Sequence, residues 1–195
     1  TLKINPKEVT LTSASATKMY DGNALRKEEV TATGFVGKDG ATYSDFASRT
    51  DVGTTKNTFK YALKDGTIAE NYNIKVENGT LKVTPVTDEV TVTITENSGE
   101  FTYDGTEKTV TGYKVTDISN KLYKEGDFSF DGKAEVKGTN AGTYNMELKP
   151  ENFKNESANF SKVTFVIVDG TLKINPKEVT LTSASATKMY DGNAL

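Results

Sequence analysis

Short runs of alternating apolar and polar residues fill most of this chain, separated by Asp-Gly or Asn-Gly pairs. Val9 and Leu11 alternate with Glu8, Thr10 and Thr12, and Phe59, Tyr61 and Leu63 with Lys60, Ala62 and Lys64. A period of two marks a strand with one face on a core and the other in water. The same alternation predicts strands at Val30 and Ala32, Ile74 and Val76, Leu81 and Val83, and Val90, Val92 and Ile94. It returns at Phe128 and Phe130, at Tyr144, Met146 and Leu148, at Val163, Phe165 and Ile167, and at Leu172 with Ile174. Tyr43 to Thr50 suits either a strand or irregular chain, or one or two helical turns, and the former is favoured. Asn78-Gly79 stands between two such runs and predicts a hairpin of Tyr72–Glu77 with Thr80–Thr84, because both central residues of a type I′ turn need positive φ. Asp169-Gly170 predicts a turn.

The punctuation recurs in order. Tyr20-Asp21-Gly22 is answered by Tyr103-Asp104-Gly105, Val52-Gly53-Thr54 by Ala141-Gly142-Thr143, Asn71-Tyr72 by Asn159-Phe160, and Gly79-Thr80-Leu81 by Gly170-Thr171-Leu172. On a larger scale, Thr1–Leu25 and Thr171–Leu195 are identical letter for letter, a period of 170 residues measured from Thr1 to Thr171. A repeat this faithful indicates one unit of a tandem array. The expected organisation is residues 1–7 as the last strand of a preceding repeat, 8–86 and 87–176 as two diverged domains, and 177–195, identical to 7–25, as the start of the next repeat. Glu178 to Leu195 would then be a first strand without its sheet. Such orphan ends, if ordered, are expected to pair across molecules or to borrow an edge. Pro6, Pro85 and Pro176 stand at these borders with no Gly/Ser-rich linker beside them. Proline donates no backbone hydrogen bond and fixes φ, so it stops sheet pairing without adding slack.

Composition narrows the chemistry. The chain is 35% hydrophobic and 26% charged, which suits thin units with modest cores. A net charge of −3 leaves no basic footprint for nucleic acid or an anionic membrane. No apolar run approaches the roughly 18 residues of a membrane span. Cys, His and Trp are all absent, so triads, zinc sites and disulfide frameworks built on Cys or His are excluded.

Lys18-Met19-Tyr20-Asp21-Gly22, Gly34-Phe35-Val36-Gly37-Lys38-Asp39, Asp51-Val52-Gly53, Asn71-Tyr72 and Gly79-Thr80-Leu81-Lys82-Val83-Thr84-Pro85 together resemble the YDG and MBG-type tandem repeats of bacterial surface proteins. The resemblance covers Glu8 to Pro85 well and is thinner over Glu89 to Pro176, where Phe160 replaces the tyrosine. It implies extracellular, mostly β modules of adhesin-like proteins on a bacterial cell wall, with no catalytic residues and no cofactor to carry over.

The candidate site residues are structural. Tyr20, Asp21, Gly22, Asn78, Gly79, Tyr103, Asp104, Gly105, Asp169 and Gly170 are expected to build turns, since Asp bonds the backbone two residues on and Gly supplies positive φ. Calcium on these loops lacks the spacing of a known calcium site. Glu28-Glu29 and Asp127 with Asp131 form carboxylate pairs of the kind glycosidases use, but a solvated strand face accounts for them better. Tyr43, Phe46, Tyr113 and Tyr123 offer rings for sugars, against the commoner role of half-buried strand aromatics. Asn78, Asn155 and Asn159 open Asn-x-Ser/Thr sequons. Lys18 with Asn71 or Asn73 is the candidate pair for an isopeptide crosslink.

The chain is therefore expected to be mainly β: two small β-rich domains in tandem, β-grasp-like or else Ig-like sandwiches. Its expected function is a non-enzymatic stalk repeat projecting a binding domain encoded elsewhere, with neighbouring repeats as partners. The alternative is that the repeats bind host protein or glycan themselves, gaining avidity from their number.

Overall fold

The computed structural model describes residues 2–195 and is mainly β, with three one-turn 3-10 helices and no α-helix among them. The strands of the first half are β1 (Lys7–Ser13), β2 (Ala16–Met19), β3 (Val30–Thr33), β4 (Ala41–Ser44), β5 (Gly53–Lys56), β6 (Lys60–Leu63), β7 (Tyr72–Glu77) and β8 (Thr80–Thr84). Those of the second half are β9 (Val90–Glu96), β10 (Gly99–Thr102), β11 (Lys108–Thr111), β12 (Tyr113–Ile118), β13 (Phe128–Phe130), β14 (Glu135–Gly138), β15 (Gly142–Asn145), β16 (Phe153–Asn155), β17 (Val163–Val168) and β18 (Thr171–Asn175). Contacts gather the chain into two compact units. The larger holds the residues up to Thr93 with Val115–Asp131 and Pro150–Val166; the smaller holds Ile94–Lys114, Gly132–Lys149 and Ile167–Leu195.

In the first half, β1 runs parallel to β7, pairing Lys7 with Tyr72 through to Thr12 with Glu77. Beyond a break in both strands, β2 runs parallel to β8 in the same register, Ala16 with Leu81 through Met19 with Thr84. The two pairs thus form one parallel ribbon, kinked at one level in both strands. Each part of the ribbon gains an antiparallel neighbour, β3 beside β1 and β5 beside β8. The resulting sheet orders are β3-β1-β7 and β2-β8-β5, with β4 and β6 as a separate antiparallel pair.

This pairing corrects the hairpin expected at Asn78-Gly79. β7 and β8 do not bond each other; they are successive parts of one strand line, and Gly79 lacks positive φ. The glycine is required for a different reason. A Cβ there would stand 2.5 Å from the Ser13 carbonyl oxygen and 2.7 Å from the Ala14 carbonyl carbon, so the parallel strands approach too closely at the kink for any side chain.

The second half repeats the plan. β9 lies between β12 and β17, and β18 lies between β10 and β15, with β10 parallel to β18. The turn expected at Asp169-Gly170 is likewise a break in a continuing strand line, and a Cβ on Gly170 would meet the Asn97 oxygen at 2.3 Å. Antiparallel pairs β11 with β14 and β13 with β16 complete this half.

The core follows the alternation. Val9 and Leu11 of β1, Leu81 and Val83 of β8, Val90, Val92 and Ile94 of β9, and Leu172 and Ile174 of β18 are all essentially inaccessible to water. At about 25 cal/mol per Å² of apolar surface, each such side chain contributes roughly 1.5–3 kcal/mol. Leu2 to Pro6 and Pro176 to Leu195 carry no strand, and both stretches are exposed. Thr1, part of the expected orphan strand, lies outside the described residues.

Candidate functional site

Residues at the inner face of each kink hold it closed. In the first half Ser13 Oγ accepts the Gly79 N–H at 2.9 Å and donates to the Asn57 carbonyl at 2.6 Å. Asn57, fully buried, donates through Nδ2 to the Ala14 and Lys27 carbonyls, both at 2.8 Å. In the second half the position of Ser13 is taken by Glu96, which is 2% exposed. One Glu96 oxygen accepts the Gly170 N–H at 2.8 Å and the other the Leu148 N–H at 2.6 Å. Ser15 and Ser98 play matching parts, accepting the N–H groups of Thr80 and Thr171. Both halves thus satisfy the backbone donors that the kink removes from the ladder, as buried N–H groups require.

The Tyr-Asp-Gly motifs lie at one end of each half. Asp21 Oδ1 accepts the Asn23 N–H at 2.9 Å and pairs with Lys18 Nζ, while Gly22 has φ +78°. Lys18, then the Asn23 N–H, hold the Asp21 carboxyl below its ordinary range. Asp104 accepts the Thr106 N–H at 2.9 Å and pairs with Lys108, whose ammonium, with the Thr106 hydroxyl, depresses its carboxyl far below the usual range. Each tyrosine is tied back by the strand line beside it: Tyr20 N–H donates to the Thr84 carbonyl and Tyr103 N–H to the Asn175 carbonyl, both at 2.8 Å.

Inside the larger unit, the Tyr20 end of the first half meets Asn159 and Phe160. Asn159 Oδ1 accepts the Val52 N–H at 2.8 Å, and its Nδ2 donates to Asp51 Oδ1 at 3.0 Å. Its carbonyl accepts the Val86 N–H at 2.9 Å, and the Val86 carbonyl accepts the N–H and the hydroxyl of Ser161, each at 3.0 Å. Val86 and Phe160 form an isolated parallel bridge directly after Pro85. The Phe160 ring takes the edge of Tyr20 at 5.7 Å and lies 5.1 Å from Tyr123 at a steep angle. Phe160, Val86 and Tyr123 are all buried. Burial pushes the Tyr123 hydroxyl up to about 12, with the charges of Asp127 and Glu156 adding to it. The turn at Gly22 completes the contact against the Leu122 side chain. A single asparagine thereby stitches three backbone or side-chain groups at a proline-flanked connection.

Of the other candidates, Tyr123 and the sequon residue Asn159 belong to this arrangement, and the rest fall outside it. Glu28 and Glu29 are paired with Arg26 and Lys27 on the surface. Asp127 caps a 3-10 turn by accepting the Lys124 N–H, and the Asp131 carbonyl accepts from Asn152. Among the described residues no group of three or more acidic side chains could hold a metal ion. Tyr43 and Phe46 pack on Phe59, Tyr113 is half-buried in β12, and Tyr123 is a core residue. The sequon residues Asn155 and Asn159 spend their side chains on internal hydrogen bonds. The isopeptide pair is not assembled: Asn73 bonds Glu8 in register at one end of β1, while Lys18 lies opposite Val83 and pairs with Asp21. Glu8 and Lys18 stand ten positions apart, near opposite ends of the β1–β2 line.

Of the residues that build the kinks and the stitched connection, Ser13, Asn57, Glu96, Asp51 and Leu122 were not anticipated from sequence. Glu96 carried a visible signal, because it continues the inward face of Val90, Val92 and Ile94.

Compared with known proteins, residues 90–176 match the family model of the MBG domain. The matched stretch, just under half of the chain, is similar to that domain. The match falls on the half whose motifs are thinner, with Phe160 where the first half has Tyr72. MBG domains are repeat domains found in surface proteins and are not known as enzymes. No curated protein matches the chain. No helix among the described residues is long and apolar enough to cross a membrane.

Proposed function

We propose that this chain is a stalk repeat of a bacterial cell-surface, adhesin-like protein, serving to hold a binding domain away from the cell wall. The residues 8–86 and the stretch similar to the MBG domain are its two modules, and it acts mechanically, without a catalytic centre. The observation that carries this reading is the Asn159 connection. A junction meant to swing would leave its backbone groups to water. Here the N–H groups of Val52 and Val86 and the carbonyl of Val86 are all bonded at the connection. Together with the 170-residue period, this supports reading the unit as one copied for reach.

Small-angle scattering on one, two and three consecutive repeats tests the proposal. The expected result is a maximum dimension that grows by a fixed step per copy. Growth that flattens with copy number would overturn it. Glycan-array and host-matrix binding assays on the same proteins are expected to be blank, as is a screen against polysaccharides and peptides. A specific hit would shift the function from reach to multivalent attachment.

A further inference from the structure

Resting on the stalk reading, we infer that the end of the first module marked by Asn71 and Tyr72 is a docking surface for the Tyr103 end of the preceding copy. The clasp would be the one that Asn159 makes within the chain.

The two surfaces match the two sides of the Asn159 connection. On the receiving side, Lys7 pairs in parallel with Tyr72 directly after Pro6, as Val86 pairs with Phe160 directly after Pro85. Asn71 precedes Tyr72 as Asn159 precedes Phe160. The Phe35 and Tyr72 rings meet edge to face at 5.1 Å, the separation of Tyr123 and Phe160. On the entering side, Tyr103 is anchored to Asn175 as Tyr20 is to Thr84. Gly142 pairs with Ile174 as Gly53 pairs with Val83, which places Asn140-Ala141 where Asp51-Val52 stand.

What differs is occupancy. Phe160 is 3% exposed under Tyr20, whereas Tyr72 is only half-buried and borders a cleft of about 460 Å³ lined by Ile4, Pro6, Val36 and Asn71. Tyr103 is 39% exposed, and Asn140 and Ala141 are exposed. The occupant follows from the repeat. Thr171–Pro176 and Thr1–Pro6 have the same letters, so in a continuing array the strand line that ends beside Tyr103 is the one that enters beside Tyr72. The chemistry is complementary as well. Asn71 Oδ1 would accept the Ala141 N–H, Asn71 Nδ2 would donate to the Asn140 side-chain oxygen, and the Tyr103 ring would lie edge-on to Tyr72.

The chain has no cysteine, so thiols report this directly. Two consecutive copies carry Thr139→Cys in the first and Glu70→Cys in the second, exposed neighbours that leave the clasp side chains in place, and are treated with a short bifunctional thiol reagent. A positive control places Thr50→Cys with Ala158→Cys, the corresponding neighbours, in one copy. A distant control replaces Glu70→Cys by Lys75→Cys, about 10 Å along the strand beyond Tyr72. The Thr139/Glu70 pair is expected to close at least about tenfold faster than the distant pair, at a rate near that of the positive control. Closure no faster than the distant pair overturns the docking. A positive control equally slow overturns it too, since the clasp it copies would then be absent in solution. Slow closure beside a fixed scattering step per copy removes the docking and leaves the stalk reading; fast closure without that step does the reverse.

Discussion

The stretches Thr1–Leu25 and Thr171–Leu195 share every letter, yet they fold in complementary parts. In the first, Leu2 to Pro6 carries no strand and Lys7 to Met19 forms β1 and β2; in the second, Thr171–Asn175 forms β18 and the remainder carries no strand. Leu11 is inaccessible while its counterpart Leu181 is 91% exposed, and Leu172 is inaccessible while its counterpart Leu2 is 94% exposed. Intrinsic propensity is the same in both copies and cannot be the cause. What differs is the partner: β7, β8 and β3 flank the first copy's strands, and β10 and β15 flank β18. β-propensity here means fitness for a surface that must be supplied from elsewhere in the chain. The Asp-Gly turn, by contrast, survives in both copies. Asp191 accepts the Asn193 N–H at 3.0 Å and pairs with Lys188, and Gly192 has φ +82°, all without a neighbouring sheet.

The largest expected effect comes from supplying the missing partners. If a further copy of residues 26–86 follows Leu195, Val179 and Leu181 should enter a sheet as Val9 and Leu11 do. Amide hydrogen exchange in this stretch should slow by on the order of a thousandfold or more, the span between an open segment and a core strand. Unchanged exchange would mean that the strand needs more than its sheet partners.

A smaller effect should come from disturbing the partner in place. Gly79→Ala puts a methyl group against the Ser13 carbonyl, where only glycine fits. Overpacking of this kind costs about 1–3 kcal/mol. The loss should appear as a lower unfolding midpoint and as faster exchange at Lys7 to Met19, moving the first copy toward the behaviour of the second. The Glu96 contacts of the other half should be unaffected. Full protection of Lys7 to Met19 in this variant would show that the kink has room the geometry denies.

These contrasts also explain what could be read from the letters. The strands with clear alternation, among them β1, β3, β6 to β9, β13, β17 and β18, were legible because alternation is written locally, whereas short strands such as β2, β5, β10 and β14 were not, and the run predicted through Leu148 ends as a strand at Asn145. The Asx bond at Asp21 was legible because it spans two residues. The hairpin at Asn78-Gly79 was a misreading for a physical reason. Asn-Gly signals a hairpin when its flanking strands are each other's best partners, but here Ile74 and Val83 pair with Val9 and Lys18. The Asn159 clasp was hidden because it joins residues more than a hundred positions apart, and nothing local distinguishes it from an ordinary sequon. Glu96 was open to reading, since a carboxylate on the inward face of a strand must meet buried donors.

The smallest effect tests whether the turn is as independent of context as its two copies imply. Lys18 and the Asn23 N–H lower the Asp21 carboxyl, and Lys188 and the Asn193 N–H lower that of Asp191. A carboxyl whose folded value is depressed favours the turn above its unfolded value near 3.8 and loses that preference as pH falls through the lower folded value. Both groups are exposed, so the effect is one of local populations and not of global stability. Carboxyl carbon shifts followed from pH 6 downward should show both aspartates titrating below 3.8 and close to one another. Lys188→Ala should raise Asp191 alone, since that ammonium is the first cause of its shift. An Asp191 that titrates at the ordinary value while Asp21 stays low would show that the sheet holds the turn, and the division between local turns and partner-made strands would then fail at its simplest point.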